Sequence, residues 1–170
     1  MIEISPAQSG EALADVIALA HEYVAWMLGE VRIRYPELDR EEFAAEHTYD
    51  DLGKKFPGDH VPPDGCLLIA RQDGLTCGCI ALGRLTGEIC EMRTLFVRPE
   101  FRGSGAGRKL AEACLVQARL LGYRTIRLDT LAFMEGAKSL YQSMGFRPIE
   151  PYLDLSSELR LNIRFFEREL

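Results

Sequence analysis

Val97-Arg98-Pro99-Glu100-Phe101-Arg102-Gly103-Ser104-Gly105-Ala106-Gly107-Arg108-Lys109-Leu110 joins an apolar run to an amphipathic one. The run ends at Val97 and Arg98-Pro99 stops it. Three glycines follow at alternate positions, and a helical pattern begins directly after them. The order is strand, tight loop, helix N-terminus. Free backbone N–H groups and the positive end of the helix dipole then face one place, which suits a phosphate. Arg98, Arg102, Arg108 and Lys109 surround the loop.

Three kinds of phosphate loop compete for this stretch. A Walker loop needs Ser or Thr after Gly-Lys to hold magnesium, whereas Arg108-Lys109-Leu110 follows Gly107. A dinucleotide fingerprint needs G-x-G-x-x-G tight against its strand. Here the glycines read G-x-G-x-G, and Pro99 separates them from Val97; Asp129 does fall near the place of a ribose-binding acid. The third pattern is Arg102-x-x-Gly105-x-Gly107, after strand-Val97-x-Pro99 and before a helix.

Downstream of the loop, Ala106 to Leu121 reads as a helix with Leu110, Cys114, Leu115, Ala118 and Leu121 on one face, ended by Gly122. Arg124 to Thr130 is a strand. Strand, helix, strand at this length is a βαβ unit, so the strands at Val97 and Leu128 are expected as parallel neighbours. Gly136 to Met144 is a second helix closed by Gly145, and Phe146 to Ile149 a strand. Leu159, Leu161, Ile163 and Phe165 alternate with polar residues and predict a last, half-buried strand. Its edge is one at which two copies of the chain could pair.

Upstream, Cys66 to Ala70, Thr76 to Leu85 and Ile89 to Val97 are successive strands, with Asp73-Gly74 as a hairpin turn. Ile2 to Ser5 is a short strand. Gly10 to Val31 carries a helical stripe of Leu13, Val16, Ile17, Ala20, Val24, Met27, Leu28 and Val31, widened by Leu19, Tyr23 and Trp26. Tyr35-Pro36 breaks it. Leu38 to about Leu52 is a second helical stretch with Glu41, Glu42, Glu46, Asp50 and Asp51: either a solvated face or an acidic wall for a cationic substrate. Gly53 to Gly65 is loop. The predicted order, βααβββαβαββ, is an α/β (α+β) mixed sheet flanked by helices.

The chain has 170 residues and a net charge of −6, the size of one domain. An acidic balance argues against a non-specific nucleic-acid binder. No basic leader precedes an apolar core at the N-terminus, and no run reaches the roughly 18 apolar residues of a membrane span. Cys66, Cys77, Cys79, Cys90 and Cys114 all fall in apolar segments and read as reduced, buried thiols of a cytoplasmic protein. Cys77 and Cys79 are spaced to share a strand face. His21, His47 and His60 show no zinc-ligand spacing, and no metal is expected.

Leu95-Phe96-Val97-Arg98-Pro99-Glu100-Phe101-Arg102-Gly103, with Ala137-Lys138-Ser139-Leu140-Tyr141-Gln142-Ser143-Met144-Gly145-Phe146 downstream, resembles the GNAT superfamily of N-acetyltransferases. Residues Cys66 to Pro151 carry the resemblance. It implies a single domain over 1–170, with an acceptor-side region at about 9–65 and an acetyl-CoA-binding core at about 66–150. The fold implied is a mostly antiparallel sheet of about seven strands and about four helices, with a splayed parallel pair in the middle. Acetyl-CoA would be co-substrate, its pyrophosphate on Gly103, Ser104, Gly105, Ala106 and Gly107 beside Arg102 and Arg108. The pantetheine arm would add to Leu95, Phe96 and Val97 as a pseudo-strand, and a bulge would splay the sheet for it.

For acetyl transfer to an amine, the resemblance makes Tyr141 the acid that protonates the leaving thiolate; the alternative is packing of its helix on the sheet. Glu91 is the base candidate; the alternative is an ion pair with Arg93 on its strand face. Tyr23, Tyr152 and Asp154 are further pocket candidates, and Tyr123 a packing residue. The expected acceptor is a small primary amine. A protein or peptide acetyltransferase and a non-catalytic acyl-CoA sensor are the alternatives.

Overall fold

The computed structural model describes residues 1–36 and 56–170. The acidic stretch Leu38 to Leu52 lies outside the described residues. Within them the order is β1 (Ile2–Pro6), α1 (Gly10–Arg34), β2 (Cys66–Gln72), β3 (Leu75–Thr86), β4 (Ile89–Val97), a 3-10 turn at Pro99–Phe101, α2 (Ala106–Leu120), β5 (Thr125–Leu131), α3 (Glu135–Ser143), β6 (Arg147–Ile149), α4 (Ser157–Asn162) and β7 (Ile163–Glu169).

The seven strands form one sheet in the order β1-β2-β3-β4-β5-β7-β6. The meander is antiparallel, and the β2–β3 turn uses positive φ at Asp73 and Gly74, as a two-residue hairpin demands. α1 buries Val16, Leu19, Ala20, Val24, Met27 and Val31 on one face of the sheet, against Leu67, Ile69, Cys79, Ala81 and Phe96 among others. α1 is long and apolar enough to cross a membrane by length and composition, but this stripe packs on the sheet. α2 buries Leu110, Ala111, Cys114, Leu115 and Ala118 on the opposite face, against Leu68, Ile80, Met92, Ile126 and Leu128. Each large apolar side chain so buried is worth roughly 1.5–3 kcal/mol. The two helices therefore fix which face every strand residue takes.

Of the three register shifts in the meander, two alter which face the residues near the site take. In β3, Ala70 pairs with Gly78 but Arg71 with Thr76, so Cys77 is the extra residue. Cys77 then packs on the α2 face and Cys79 on the α1 face, and the two thiols do not share a side. In β4, Arg93 pairs with Ala81 and Phe96 with Cys79, so Thr94 and Leu95 lie opposite Ile80 alone. Thr94 takes φ +50°, uncommon for a β-branched residue. Before the bulge Cys90 and Met92 face α2; after it Leu95 and Val97 do.

β4 and β5 run parallel but pair only at Ile89–Thr125, Cys90–Ile126 and Glu91–Arg127. Beyond these rungs they diverge, so Val97 and Leu128 are not partners. The end of the chain differs from its sequence pattern. Residues 157–162, including Leu159 and Leu161, form α4, and only Ile163 onward is strand. β7 is inserted between β5 and β6, so it is not an edge at which two copies could pair. The edge on that side is β6, three residues with a proline at Pro148.

Candidate active site

The loop after β4 turns on positive φ at Gly103 (+83°) and Gly105 (+93°), and a Cβ at either would meet no protein atom within 4 Å. Backbone conformation, not crowding, requires glycine there. Gly105 caps α2, so the N–H groups of Ala106, Gly107 and Arg108 have no intrahelical acceptor. Among the described residues, one long side-chain bond reaches them, from Ala106 N–H to Ser104 Oγ at 3.4 Å. A charged oxygen placed before this turn would meet several donors and the helix dipole together.

The four basic residues part company. Arg102 and Arg108 line the cleft described below. Arg108 Nη2 donates to Ser143 Oγ at 2.6 Å. Arg102 Nε donates to the Val97 carbonyl at 3.2 Å, and its guanidinium lies 4.7 Å from the Trp26 ring centroid. Arg98 is turned away from the loop; it donates to Glu22 at 2.8 and 2.6 Å and to the Thr76 carbonyl at 2.7 Å. Lys109 is exposed on α2 and is not in the cleft lining.

A cleft of about 790 Å³ opens where β4 and β5 diverge. Leu95, Phe96 and Val97 form one wall. Gly103, Gly105, Ala106 and Gly107 close one end, and Ala137, Leu140 and Tyr141 of α3 form the other wall. The structure thus brings Leu95, Phe96, Val97, Arg102, Gly103, Gly105, Ala106, Gly107, Arg108 and Tyr141 to one cavity. Ser104 stands behind the loop.

Tyr141 is buried, its ring edge-on to Phe146 at 5.7 Å and tilted against Phe166 at 6.3 Å. Burial pushes its phenol well above the ordinary value, and the nearby Tyr23, Asp129 and Cys114 add to the rise. The group stays protonated and faces a cavity. Glu91 is not in the cleft lining. It is 5% exposed, before the bulge and on the α1 face. Its Oε2 accepts from Arg93, and its Oε1 accepts from the Tyr152 hydroxyl at 2.8 Å. Tyr152 packs edge-on to Phe165 at 5.0 Å, with the Arg127 guanidinium 5.2 Å from its ring. Asp154 is exposed and outside the cleft lining. Tyr123 is buried and its hydroxyl donates to the Asp64 carbonyl at 2.6 Å, a packing role.

Of the roof, the sequence pattern offered Tyr23, which does line the cleft, but left out Trp26 and Phe133. Trp26 of α1 and Phe133 of the β5–α3 turn meet edge-on at 6.4 Å across the cleft, and Tyr23 packs on Phe96 at 5.6 Å. The signal was present in α1: Tyr23 and Trp26 stand off the buried stripe, three apart and so on one helix face. The five cysteines are free and buried. Burial drives the Cys79 and Cys90 thiols up to about 12, which makes them inert. Among the described residues no group of three or more His, Cys, Asp or Glu is placed to hold a metal ion.

This arrangement has counterparts. The acetyltransferase (GNAT) domain family matches residues 63–148. An uncharacterized N-acetyltransferase of Schizosaccharomyces pombe is 32% identical over 156 residues, covering 89% of this chain and 86% of its own. The acetyltransferase of Streptococcus agalactiae has a similar structure: TM-score 0.72, 21% identity, covering 99% of this chain and 98% of that one. So does the PaiA N-acetyltransferase of Thermoplasma acidophilum in complex with coenzyme A, with TM-score 0.71, 20% identity, and coverage of 100% and 99%. The chain belongs to the GNAT family and is an N-acetyltransferase.

Proposed function

We propose that the chain transfers the acetyl group of acetyl-CoA to the primary amine of a small molecule, by direct attack in a ternary complex. One observation carries this reading: a single cleft has a loop of free main-chain donors at one end and a protonated, buried phenol, Tyr141, on its wall.

The residues present fit acetyl-CoA. Gly103 to Gly107 offer main-chain donors to the pyrophosphate, with Arg102 and Arg108 beside them. The strand pairing given up where β4 leaves β5 is available to the amides of a pantetheine chain along Leu95 to Val97. A main-chain N–H of the same strand serves the oxyanion. Tyr141 then gives its proton to the departing sulfur. Glu91 remains the base candidate, and with both oxygens engaged it reaches an acceptor through the Tyr152 hydroxyl.

Incubating the purified chain with acetyl-CoA and two acceptor sets, small primary amines and lysine-containing peptides, and following CoA thiol release tests this reading. Turnover of small amines is expected. Turnover of peptides alone would replace it with a peptide acetyltransferase. Normal CoA binding with no thiol release from either set would make the chain a sensor.

A further inference from the structure

β5 lies inside the sheet, between β4 and β7. Its neighbours in sequence, Leu128, Thr130 and Leu131, are buried, yet Asp129 is exposed. An exposed carboxylate in the middle of an interior strand needs an opening above it. The register places that opening. Arg127 is the last β5 residue to pair with β4, and Asp129 is two residues further on, at the mouth where the strands part. It shares the α1 face with Arg127 and Leu131. On that face Leu131 packs with Met27 and Val31 of α1, and Arg127 is tied to Glu167 at 2.8 Å beneath the Tyr152 ring. Between these two covered positions Asp129 reaches solvent.

Three phenols from three parts of the chain lie within reach of its charge. Tyr23 comes from α1, Tyr141 from α3 and Tyr152 from the segment after β6, and the negative charge of Asp129 adds to the burial that raises each of them. Tyr23 and Tyr141 both line the cleft. Asp129 is thus an exposed carboxylate at the strand gap, not itself in the cleft lining but with its charge felt by Tyr23 and Tyr141, which are; Glu91 is 5% exposed.

We infer that Asp129 is the carboxylate that receives the acceptor, binding its ammonium at the mouth of the β4–β5 gap and taking the first proton from it. This rests on the acetyl-transfer reading above and adds that the acceptor enters as a cation from the α1 face. The protons balance. The ammonium gives one proton to Asp129, which releases it to solvent through its exposed side. The neutral nitrogen forms the N–C bond, the C–S bond breaks, and the sulfur takes the Tyr141 proton. The second proton shed by nitrogen restores the phenol. Asp129 thereby takes the place of Glu91 as the base, and Glu91 acts as a positioning residue for Tyr152.

The test compares wild type with Asp129→Asn and Asp129→Glu, each first checked for folding by circular dichroism and for acetyl-CoA affinity by calorimetry. Turnover of a panel of polyamines, aryl-ethylamines and amino-acid amides is followed by CoA thiol release. Binding of the same amines to the CoA-loaded protein is followed by calorimetry. Asp129→Asn is expected to keep acetyl-CoA affinity within about twofold, to lose about 100-fold or more in kcat/KM for the amine, and to weaken amine binding. Asp129→Glu is expected to restore part of both. Amine binding and turnover unchanged in Asp129→Asn would overturn the inference, as would a wild type that binds no panel amine. If wild type binds amines without acetylating them, the acetyl-transfer reading fails, and loss of that binding in Asp129→Asn still supports the anchor.

Discussion

Tyr141 carries a hydroxyl that packing does not need. Its ring contacts with Phe146 and Phe166 are those a phenylalanine would make. Tyr141→Phe is therefore expected to leave folding and acetyl-CoA affinity unchanged while kcat falls by about 100-fold, the ordinary worth of a positioned acid; steady-state kinetics beside calorimetry check both. Unchanged kcat would leave the tyrosine as packing alone. Gly105 makes the opposite test, of conformation without chemistry. At φ +93° an alanine there costs about 1–2 kcal/mol, so Gly105→Ala is expected to lower Tm and weaken acetyl-CoA binding with little change in kcat at saturation.

At the scale of elements, the bulge in β4 sets the site. It turns Leu95 and Val97 toward the α2 face, and Gly78 stands directly behind it. A Cβ on Gly78 would lie 2.6 Å from the Phe96 carbonyl oxygen. Gly78→Ala is expected to destabilise by about 1–3 kcal/mol and to weaken acetyl-CoA binding, because the strand proposed to meet the pantetheine must shift; denaturant melts and calorimetry read the two effects. The loop before β2 supplies a pH dependence. His60 is buried against Phe56, with its Nδ1 3.2 Å from the Leu82 carbonyl, and burial lowers its pKa below 6.5 despite the raising effects of that carbonyl, Asp59 and Glu91. The unfolded chain then takes up a proton first as pH falls. This contribution is complete above 6.5 and is lost progressively below it, toward the folded value. Thermal melts from about pH 7.5 to about 5.5 should show a steeper fall for wild type than for His60→Gln.

Much of this level was legible in the residues. β4 ends where Arg98-Pro99 says it must, and Gly122 and Gly145 follow α2 and α3 as helix stops. The misses share a cause. Leu159 and Leu161 match a period of two, but α4 is six residues long, too short for a period to show. The insertion of β7 and the extra residue at Cys77 are matters of pairing between distant segments, which local alternation does not encode. That the glycine loop and Tyr141 would stand at one cleft was readable because each is carried by a local motif. The Trp26–Phe133 roof joins residues over a hundred positions apart and became visible only once α1 was set on the sheet.

Across the whole molecule, α1 and the end of β4 are tied by the paired bonds of Arg98, the residue after the strand, to Glu22. Both side chains are partly exposed, so the tie is worth at most about 1 kcal/mol. A double-mutant cycle with Glu22→Gln and Arg98→Met should return a coupling of that size that shrinks with added salt.

The short β4–β5 pairing has a mechanical consequence. Three rungs hold the arms of the sheet together, and past them the arms part like a zip left partly open. A bound pantetheine chain would occupy the missing rungs of β4 while its acyl end reached toward Tyr141, on the other arm's side. The ligand would act as a strut across the open zip. Saturating acetyl-CoA should therefore slow amide hydrogen exchange in both β4 and β5, including at β5 residues that the ligand does not touch.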